Sequence, residues 1–300
     1  MSITSAMYSG VSGLLANAEG INVIGNNLAN VNTIGFKSGR MLFSDMLSAT
    51  GPNNSQIGRG VQIQKVDNIY AQGAFENTEV VSDVAIQGNS FFAFAAPNTV
   101  AAVASQDLAY LSRAGALRVN SSYNLTNPDG YLSLEAATGA PILFQHTVAP
   151  AAPAAGDFAK ITAIDSQGVI TYADYNGNAY YYNGSGASLP ATTANYTVVR
   201  DAGHTIAVVN PTNPLGLMKV GGTMFRSSAD AGVPTTAFSA AINRANGSSE
   251  EIKSSSLELS NVDMAAQFVK MILTQRAYSA NSKTITTADE MTQEVLNLKR

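Results

Sequence analysis

The sequence contains no cysteine and no tryptophan among its 300 residues, and it has only two histidines. Without cysteine there can be no disulfide bond, no thiolate metal ligand and no cysteine nucleophile. No apolar run approaches the roughly 18 residues of a membrane-spanning helix, so we expect no membrane span. The first residues also lack the basic and continuous apolar regions of a secretory signal peptide, and we expect none.

Basic residues are scarce and scattered along the chain. The 17 Lys and Arg residues are outnumbered by 21 Asp and Glu residues, which gives a formal net charge of -4 without any basic cluster. Proteins that bind nucleic acid need such a cluster to neutralise phosphates, so nucleic acid is not an expected partner. Hydrophobic residues make up 45% of the chain, which is enough for a substantial core divided into two or more modules.

Both ends of the chain carry apolar residues at the three- and four-residue steps of an amphipathic helix. The N-terminal stripe consists of Ile3, Met7, Val11, Leu14, Ala18, Ile21, Leu28 and Val31. The C-terminal stripe consists of Met264, Phe268, Met271, Tyr278, Ile285, Met291, Val295 and Leu298, with Gln275 and Ser282 at its polar positions. Glu19 is the one charged residue before Lys37, which indicates a helix buried on most of its faces.

Between the two ends the sequence changes to short β-like runs separated by turns. "DSQG" (165–168) suits a type I turn, and the Asn-Gly pairs at 176–177 and 183–184 are typical of tight hairpins. We therefore predict an α+β fold, in which long coiled-coil-like terminal helices form an inner core. A mainly antiparallel β region is inserted between them.

The changes of pattern also predict the boundaries of the parts. These parts are an N-terminal inner-core helix, a linker or export region with a short helix and a β strand, a β domain in two pieces, a reduced outer β insertion, and a linker with the C-terminal inner-core helix. In the same order they span residues 1–31, 32–70, 71–145 with 206–245, 146–205, and 246–300.

The sequence has no arrangement typical of catalysis. His146 and His204 have no acidic or serine neighbour at a characteristic spacing, and we predict that neither is catalytic or binds a metal. Asp174 begins a segment similar to a calcium loop, but Ala179 stands where the loop needs glycine, so a hairpin turn is the better interpretation. Phosphate-binding and dinucleotide motifs are absent as well. We predict neither an enzyme nor a cofactor.

Two interpretations of the terminal stripes are open. They can form a helical hairpin within one globular molecule, or they can become ordered only against neighbouring subunits, so that assembly supplies the buried area. Gly10, Gly13, Gly20 and Gly25 weaken an isolated N-terminal helix, which favours the second interpretation and predicts that this segment is disordered in the monomer. Gly10 and Gly13 would also let a second helix approach closely.

Four segments of the chain are distinctive when taken together. They are "SGVSGLLANAEGINVIGNNLANVNTIGFKSGR", "DVAIQGNSFF", "NPLGLMKVGG" and "LELSNVDMAAQFVKMILTQRAYSANSKTITTADEM". This set, which covers both ends and the middle, resembles the axial proteins of the bacterial flagellum, the family of hook and distal-rod subunits. The resemblance implies a non-enzymatic building block of a helical tube, with terminal helices from many copies in a concentric inner core and β domains outside.

The resemblance also implies roles for individual residues. The two apolar stripes would make the assembly contacts. The turn from the inner-core helix to the linker would be formed by Asn26, Asn27, Asn30, Asn32, Gly35 and Phe36. Phe43 and Leu47 match the family's export element, although an ordinary i, i+4 helical pair would explain them equally.

Within the family, several segments favour a hook protein over a distal-rod protein. "GFKSGRMLFSDML", the short linker before "GRGVQI" and the ending "LNLKR" resemble hook proteins, although residues 146–205 leave room for only a reduced outer domain. The implied function is a hook subunit that couples rod to filament and transmits torque as a flexible joint, with a distal-rod protein as the alternative.

Partners and location follow from the same resemblance. The implied partners are further copies of the chain, the distal rod, the hook cap, the hook–filament junction proteins and the flagellar type III export gate. The implied location is the extracellular flagellum, including its hook and basal body, reached by export without a cleaved signal peptide.

A function of another class is also open. "YADYNGNAYYYN" (172–183) contains five tyrosines, and a tyrosine surface would suit a carbohydrate-binding or adhesive β module with helical ends. Alternating strand positions in a hairpin are the simpler explanation of the same residues.

Overall fold

A computed structural model of the chain describes residues 3–47, 49–50, 56–97, 99, 101–145, 156–184, 196–200 and 203–298. Two long helices and antiparallel strands make up its regular structure, which confirms the α+β class with helices flanking a β region. The chain divides into two compact units. The helical unit comprises Met1–Asn32, Lys37–Tyr70 and Val262–Arg300, and the β unit comprises Thr33–Phe36 and Ala71–Asn261.

The helical unit is built on two antiparallel helices, α1 (Ile3–Ala29) and α2 (Met264–Leu298). Gly13 lies opposite Asn281, and Asn27 lies opposite Gln267, so the two helices run in opposite directions. The N-terminal segment is therefore helical and packed within a single chain, and the prediction that it is disordered in the monomer is wrong. The reason is that its glycines, which weaken an isolated helix, allow close packing against α2.

A β ribbon completes the helical unit. Its long strands are β1 (Gly39–Asp45) and β4 (Val61–Asn68), which pair antiparallel with an irregularity between Leu42 and Phe43. Between β1 and β4 in the sequence, the short strands β2 (Ala49–Thr50) and β3 (Gln56–Ile57) pair with each other. The short helix expected within 32–70 is absent from the described part of that stretch, because "VQIQKVDN" alternates as a strand and supplies β1 with a pairing partner.

In its described residues, the β unit contains the remaining strands and three short 3-10 helices. Its first seven strands are β5 (Phe75–Asn77), β6 (Val84–Gln87), β7 (Phe91–Ala95), β8 (Tyr110–Ser112), β9 (Arg118–Val119), β10 (Leu125–Thr126) and β11 (Leu132–Ser133). The others are β12 (Lys160–Ile164), β13 (Ile170–Ala173), β14 (Ala179–Tyr182), β15 (Tyr196–Thr197), β16 (Val208–Val209), β17 (Met218–Gly221), β18 (Met224–Arg226), β19 (Glu251–Ser254) and β20 (Ser256–Glu258). The 3-10 helices are Gln106–Leu108, Pro214–Gly216 and Ala229–Ala231.

These strands form two main sheets and two small pairs. The larger sheet has eight strands in the order β17-β18-β8-β7-β11-β10-β9, with β16 also pairing with β7. The smaller sheet has four strands in the order β12-β13-β14-β15, and β6 pairs with β19 as β5 does with β20. Every pairing between these strands is antiparallel among the residues the structure covers.

One hydrophobic core lies between the two sheets. It contains Phe92 and Phe94 of the larger sheet and Tyr172 and Tyr182 of the smaller one. Phe144 joins them and packs against the edges of both tyrosine rings. The described residues of the expected insertion at 146–205 therefore share this core and do not form a domain of their own.

Candidate assembly surface of the terminal helices

The face of α1 that contacts α2 is lined by small residues. A Cβ added at Gly10 would lie 2.9 Å from Cγ1 of Ile285, and one added at Gly13 would lie 2.6 Å from Nδ2 of Asn281. At Gly20 an added Cβ would lie 3.4 Å from Cγ2 of Thr274. Larger side chains at these positions would hold the helices apart, so the expectation that Gly10 and Gly13 permit close helix approach is confirmed.

Two of these contacts and a third between Asn27 and Gln267 form a regular series that we call the seam ladder. Gly13 lies against Asn281, Gly20 lies against Thr274, and Asn27 lies against Gln267. The residues on each helix are seven positions apart, which is the repeat that keeps one helix face toward a partner. The ladder is made of small and polar residues, and most of the predicted apolar side chains of both helices lie outside it.

Asn27 is the polar centre of the helical unit. Its side chain is buried, and Nδ2 donates to the carbonyl of Gly39 at 2.7 Å while Oδ1 accepts from the N–H of Gly39 at 2.8 Å. Nδ2 also lies 3.4 Å from Oε1 of Gln267. One amide therefore connects α1, the start of β1 and α2 without introducing charge into a buried place, which fits the uncharged character of the Asn-rich stretch.

The predicted N-terminal stripe lies beside the seam ladder. Met7, Leu14, Ala18, Ile21 and Leu28 are half-buried, and Val11 is exposed. The most buried apolar side chains of α1 are Ala16 and Ile24, which the stripe did not include. Tyr8 and Leu15, also outside the stripe, are largely exposed, so α1 presents an apolar surface to solvent within the single chain.

The predicted C-terminal stripe is mostly exposed. Met271 and Ile285 are half-buried, and Ile285 lies against Gly10 of α1. The other members are exposed: Met264, Phe268, Tyr278, Met291, Val295 and Leu298. Phe268 is 49% exposed and Leu298 is 87% exposed. The exposed residues Val269, Ile272, Leu273 and Leu296 were not predicted. The missed seam residues Gln267 and Ala288 could have been found from the seven-residue spacing of Gln267, Thr274, Asn281 and Ala288.

The turn after α1 divides its predicted residues between the two units. In the helical unit, Nδ2 of Asn30 donates to the carbonyl of Asn26 at 2.9 Å and caps the helix end, while the side chains of Asn26 and Asn32 are exposed. In the β unit, the N–H of Gly35 donates to the carbonyl of Glu258 at 2.8 Å.

Two contacts fix Gly35 and Phe36 within the β unit. Gly35 has a φ of +68°, and a Cβ there would lie 2.5 Å from the backbone nitrogen of Ala114. Only glycine fits the backbone at residue 35 without strain. Phe36 is buried, and Nζ of Lys219 lies 4.6 Å from the centroid of its ring. Burial lowers the pKa of Lys219.

Phe43 and Leu47 are not a helical pair. Phe43 lies in β1 opposite Ile63, and Leu47 follows the end of that strand. Both side chains are exposed to solvent. The alternative explanation of these residues as i, i+4 neighbours on a helix is therefore wrong.

Of the two histidines, the structure describes His204. Nδ1 of His204 lies 2.6 Å from Oε1 of buried Glu135, whose Oε2 accepts a hydrogen bond from the hydroxyl of Tyr182, so His204 and Tyr182 share one buried carboxylate. His146 lies outside the described residues. Within those that are described, no group of three or more acidic or histidine side chains could hold a metal ion. Neither helix is long and apolar enough to cross a membrane.

The segment resembling a calcium loop is a hairpin turn. Oδ1 of Asp174 accepts from the N–H groups of Asn176 and Asn178, each at 2.8 Å. Burial alone would raise the pKa of Asp174, but these hydrogen bonds outweigh it and hold the pKa below its usual range. The carboxylate is thus used by the turn itself, as the sequence interpretation required.

The tyrosine-rich segment does not form one surface. Tyr172 and Tyr182 are buried in the core, Tyr180 and Tyr181 are partly covered, and Tyr175 is exposed. Tyr180 lies opposite Tyr172 across the β13–β14 pair. These positions follow the alternation of a hairpin, which removes the observation that favoured an adhesive module.

Comparison with known proteins identifies the relatives of this chain. Residues 7–37 match the family described as "Flagella basal body rod protein", and residues 253–298 match "Flagellar basal body rod FlgEFG protein C-terminal". The flagellar basal-body rod protein FlgG of Bacillus subtilis (strain 168) is 32% identical over 98% of this chain and 99% of its own length. FlgG of Borreliella burgdorferi is 28% identical over 98% of both chains.

A hook protein is also similar, over a smaller part of the chain. The flagellar hook protein FlgE of Borreliella burgdorferi is 39% identical over 41% of this chain and 28% of its own length. The sequence patterns favoured a hook protein over a distal-rod protein. The comparisons do not, and they support the rod alternative better. Since the similarity extends along almost the whole of both proteins, the chain belongs to the rod and hook family of flagellar axial proteins, which are structural components and not enzymes.

Proposed function

We propose that this protein is a subunit of the flagellar rod. The observation that carries the proposal is the extent of the similarity: the rod protein of Bacillus subtilis aligns with 98% of the chain, whereas the hook protein of Borreliella burgdorferi aligns with 41%. A rod protein also has no need of the large outer domain that residues 146–205 cannot provide.

The exposed apolar surface of α2 supports self-assembly as the mechanism. The seam ladder already joins α1 to α2, so Phe268, Ile272 and Leu273 are free for contacts with other copies. Soluble monomers rarely expose a contiguous apolar surface of this kind. Covering each half-exposed side chain contributes on the order of 1 kcal/mol, and contacts that do not close into a ring extend into a filament.

A hook subunit is the second candidate. The observation that favours it is the sequence of the segment between β1 and β4, residues 46–60, which resembles hook proteins. The short linker in this region is one of the features in which the sequence resembles hook proteins. In that case the protein would couple rod to filament as a flexible joint, with neighbouring contacts that exchange during bending.

The same proposal extends to partners and location. The chain would assemble with further copies of itself and with adjoining components of the axis, which by resemblance include the hook cap and the hook–filament junction proteins. It would reach the growing structure through the type III export gate. The expected location is the flagellar basal body and hook region outside the cytoplasm.

Electron microscopy of cells that lack the gene distinguishes the two candidates. We expect the rod to stop short in the deletion and to be restored by a plasmid copy of the unaltered gene. An intact rod without the curved tube would favour the hook subunit. A complete flagellum in the deletion would contradict both.

Phe268→Asp tests the assembly surface in the same cells. Because Phe268 is 49% exposed, the variant should fold as the parent does, yet it should not assemble, since a charge would be buried without a partner. Phe268→Leu is the matched control, and it should assemble. Leu14→Asp tests the half-buried N-terminal stripe in the same way, and normal assembly of both Asp variants would contradict the proposed surface.

A further inference from the structure

A groove opens in the helical unit between α1 and the tip of the β1–β4 ribbon. It has a volume of about 460 Å³, and its apolar lining comes from Tyr8, Val11, Leu15 and Met46. Arg59 is the charged residue of its lining. Tyr8 is 74% exposed, so nothing within the described chain covers the middle of this lining.

The end of α2 projects past the start of α1. Gly10 lies against Ile285, and the two helices run antiparallel. Ile3, seven residues before Gly10, is thus level with Thr292, and residues 293–298 extend beyond α1 by about 9 Å at 1.5 Å per residue. We call residues 293–298 the overhang.

One face of this helix end is apolar and uncovered. Met291, Val295 and Leu298 stand at i, i+4 and i+7 and are all exposed. Glu294 lies beside this face, three residues from Met291 and four from Leu298. Residues 284–298 contain three acidic residues and no Lys or Arg, and two basic residues, Lys299 and Arg300, follow in the sequence. The overhang therefore combines an apolar helical stripe with negative charge.

The groove and the overhang of one chain do not meet. No described residue of α2 lines the groove, and the three stripe residues stay in solvent. An amphipathic helix that presents i, i+4 and i+7 anchors is the usual occupant of an apolar groove. Arg59 of the groove and Glu294 of the overhang also have opposite charges. An apolar groove and an apolar helical stripe of opposite charge are complementary surfaces.

We propose that the end of α2 in one copy, Met291 together with the overhang, binds in the groove of a second copy. Met291, Val295 and Leu298 would lie against Tyr8, Val11 and Leu15, and Glu294 would pair with Arg59. The inference rests on the proposed self-assembly and specifies one of its contacts. Since each copy then offers a free groove at one site and a free overhang at the other, the contact propagates in one direction without closing.

Cysteine cross-linking tests the contact directly, because the chain has no cysteine of its own. Cells that lack the native gene would produce two forms of the full chain, Val11→Cys and Val295→Cys, with tags of different size. Oxidation of the isolated axial structures should yield a mixed disulfide dimer. The matched control replaces Val295→Cys by Thr284→Cys, an exposed position three turns earlier on α2, and should yield none.

A charge exchange tests the pairing of Arg59 with Glu294. Arg59→Glu and Glu294→Arg should each reduce the number of axial structures per cell roughly tenfold, because each places like charges together. The double variant should recover most of that loss. Recovery requires that the two side chains meet, which a general effect on folding would not produce.

The outcomes separate this contact from the proposed function. Abundant axial structures without the mixed dimer, together with unchanged assembly of both single charge variants, would overturn the overhang contact and leave the structural role intact. Axial structures that are complete in the absence of the gene would instead overturn the structural role itself.

Discussion

The backbone of Gly13 lies so close to Asn281 that a Cβ on Gly13 would be 2.6 Å from Nδ2 of that side chain. Glycine at this position lets α1 and α2 approach closely, whereas Gly25 of the same helix has no atom within 4 Å of an added Cβ. Gly13 therefore allows close helix packing and Gly25 does not, although the intrinsic helix propensity of glycine is equally low at both positions.

A leucine at each position should separate these effects. Gly13→Leu should destabilise the helical unit by about 1–3 kcal/mol, because the side chain would force the helices apart. Gly25→Leu should be neutral or stabilising by up to about 1 kcal/mol through its higher helix propensity. Thermal unfolding followed by circular dichroism at 222 nm would compare them. Equal melting temperatures would show that α1 does not pack closely on α2.

The contrast between these glycines explains what sequence patterns could and could not predict. Hydrophobic periodicity correctly indicated both terminal helices, because each has apolar residues at three- and four-residue steps. It did not identify the seam ladder, in which Gly20 meets Thr274 and Asn27 meets Gln267, because such residues carry no hydrophobic signal. Much of the two apolar stripes, which the resemblance assigns to assembly contacts, faces solvent within one chain.

Turns in the β unit were predictable for a local reason. The turn expected at 165–168 is present, with the N–H of Gly168 donating to the carbonyl of Asp165 at 2.9 Å and a φ of +84° at Gly168. Asp and Gly supply the side-chain acceptor and the positive φ within four residues. The order of strands in the eight-stranded sheet depends on contacts distant in sequence, and no local pattern indicated it.

Asn27→Ala should destabilise the helical unit although it removes only one small side chain. The substitution would leave both the N–H and the carbonyl of Gly39 without the side-chain partner that now bonds each of them. An unsatisfied buried polar group costs about 1–3 kcal/mol, so a loss of roughly 2 kcal/mol or more is expected in urea unfolding.

Asn26→Ala is the matched control for Asn27, because Asn26 is the preceding residue of the same helix and is exposed. It should change the free energy of unfolding by less than about 0.5 kcal/mol. If Asn27→Ala proved equally mild, the bond between Asn27 and Gly39 would have no importance for the helical unit.

The β unit contains a buried ion pair whose disruption should be costly. Nη1 of Arg113 lies 3.3 Å from Oε2 of Glu258, and both side chains are excluded from solvent. Burial lowers the pKa of Arg113, and the charge of Glu258 opposes that effect. Glu258 also accepts from the N–H of Gly73 at 2.9 Å, so it joins separate segments of the unit.

Glu258→Gln should destabilise the β unit by roughly 3–5 kcal/mol, because it leaves the Arg113 charge buried without its partner. Arg113→Met should also be destabilising, and the double variant Arg113→Met with Glu258→Gln should lose less than the sum of these two single changes. Urea unfolding followed by near-ultraviolet circular dichroism would measure the cycle. Additive losses would mean that the two charges stabilise the fold independently.

The last prediction concerns the export element that the resemblance assigns to Phe43 and Leu47. Phe43 is 48% exposed and Leu47 is 91% exposed, so replacing both by alanine should have little effect on folding. If the export apparatus binds these side chains, the double variant should stay in the cytoplasm. Fractionation of cells and medium, followed by immunoblotting, would measure the secreted share.

Ile63→Ala provides the control for this experiment, because Ile63 lies opposite Phe43 in the ribbon and is exposed to a similar degree. A ribbon that matters only for folding would make both variants equally defective. An export element would affect only the variant that changes Phe43 and Leu47, since Ile63 lies outside it. Normal secretion of the double variant would contradict an export role for Phe43 and Leu47. These exposed apolar residues would then be available for contacts between subunits.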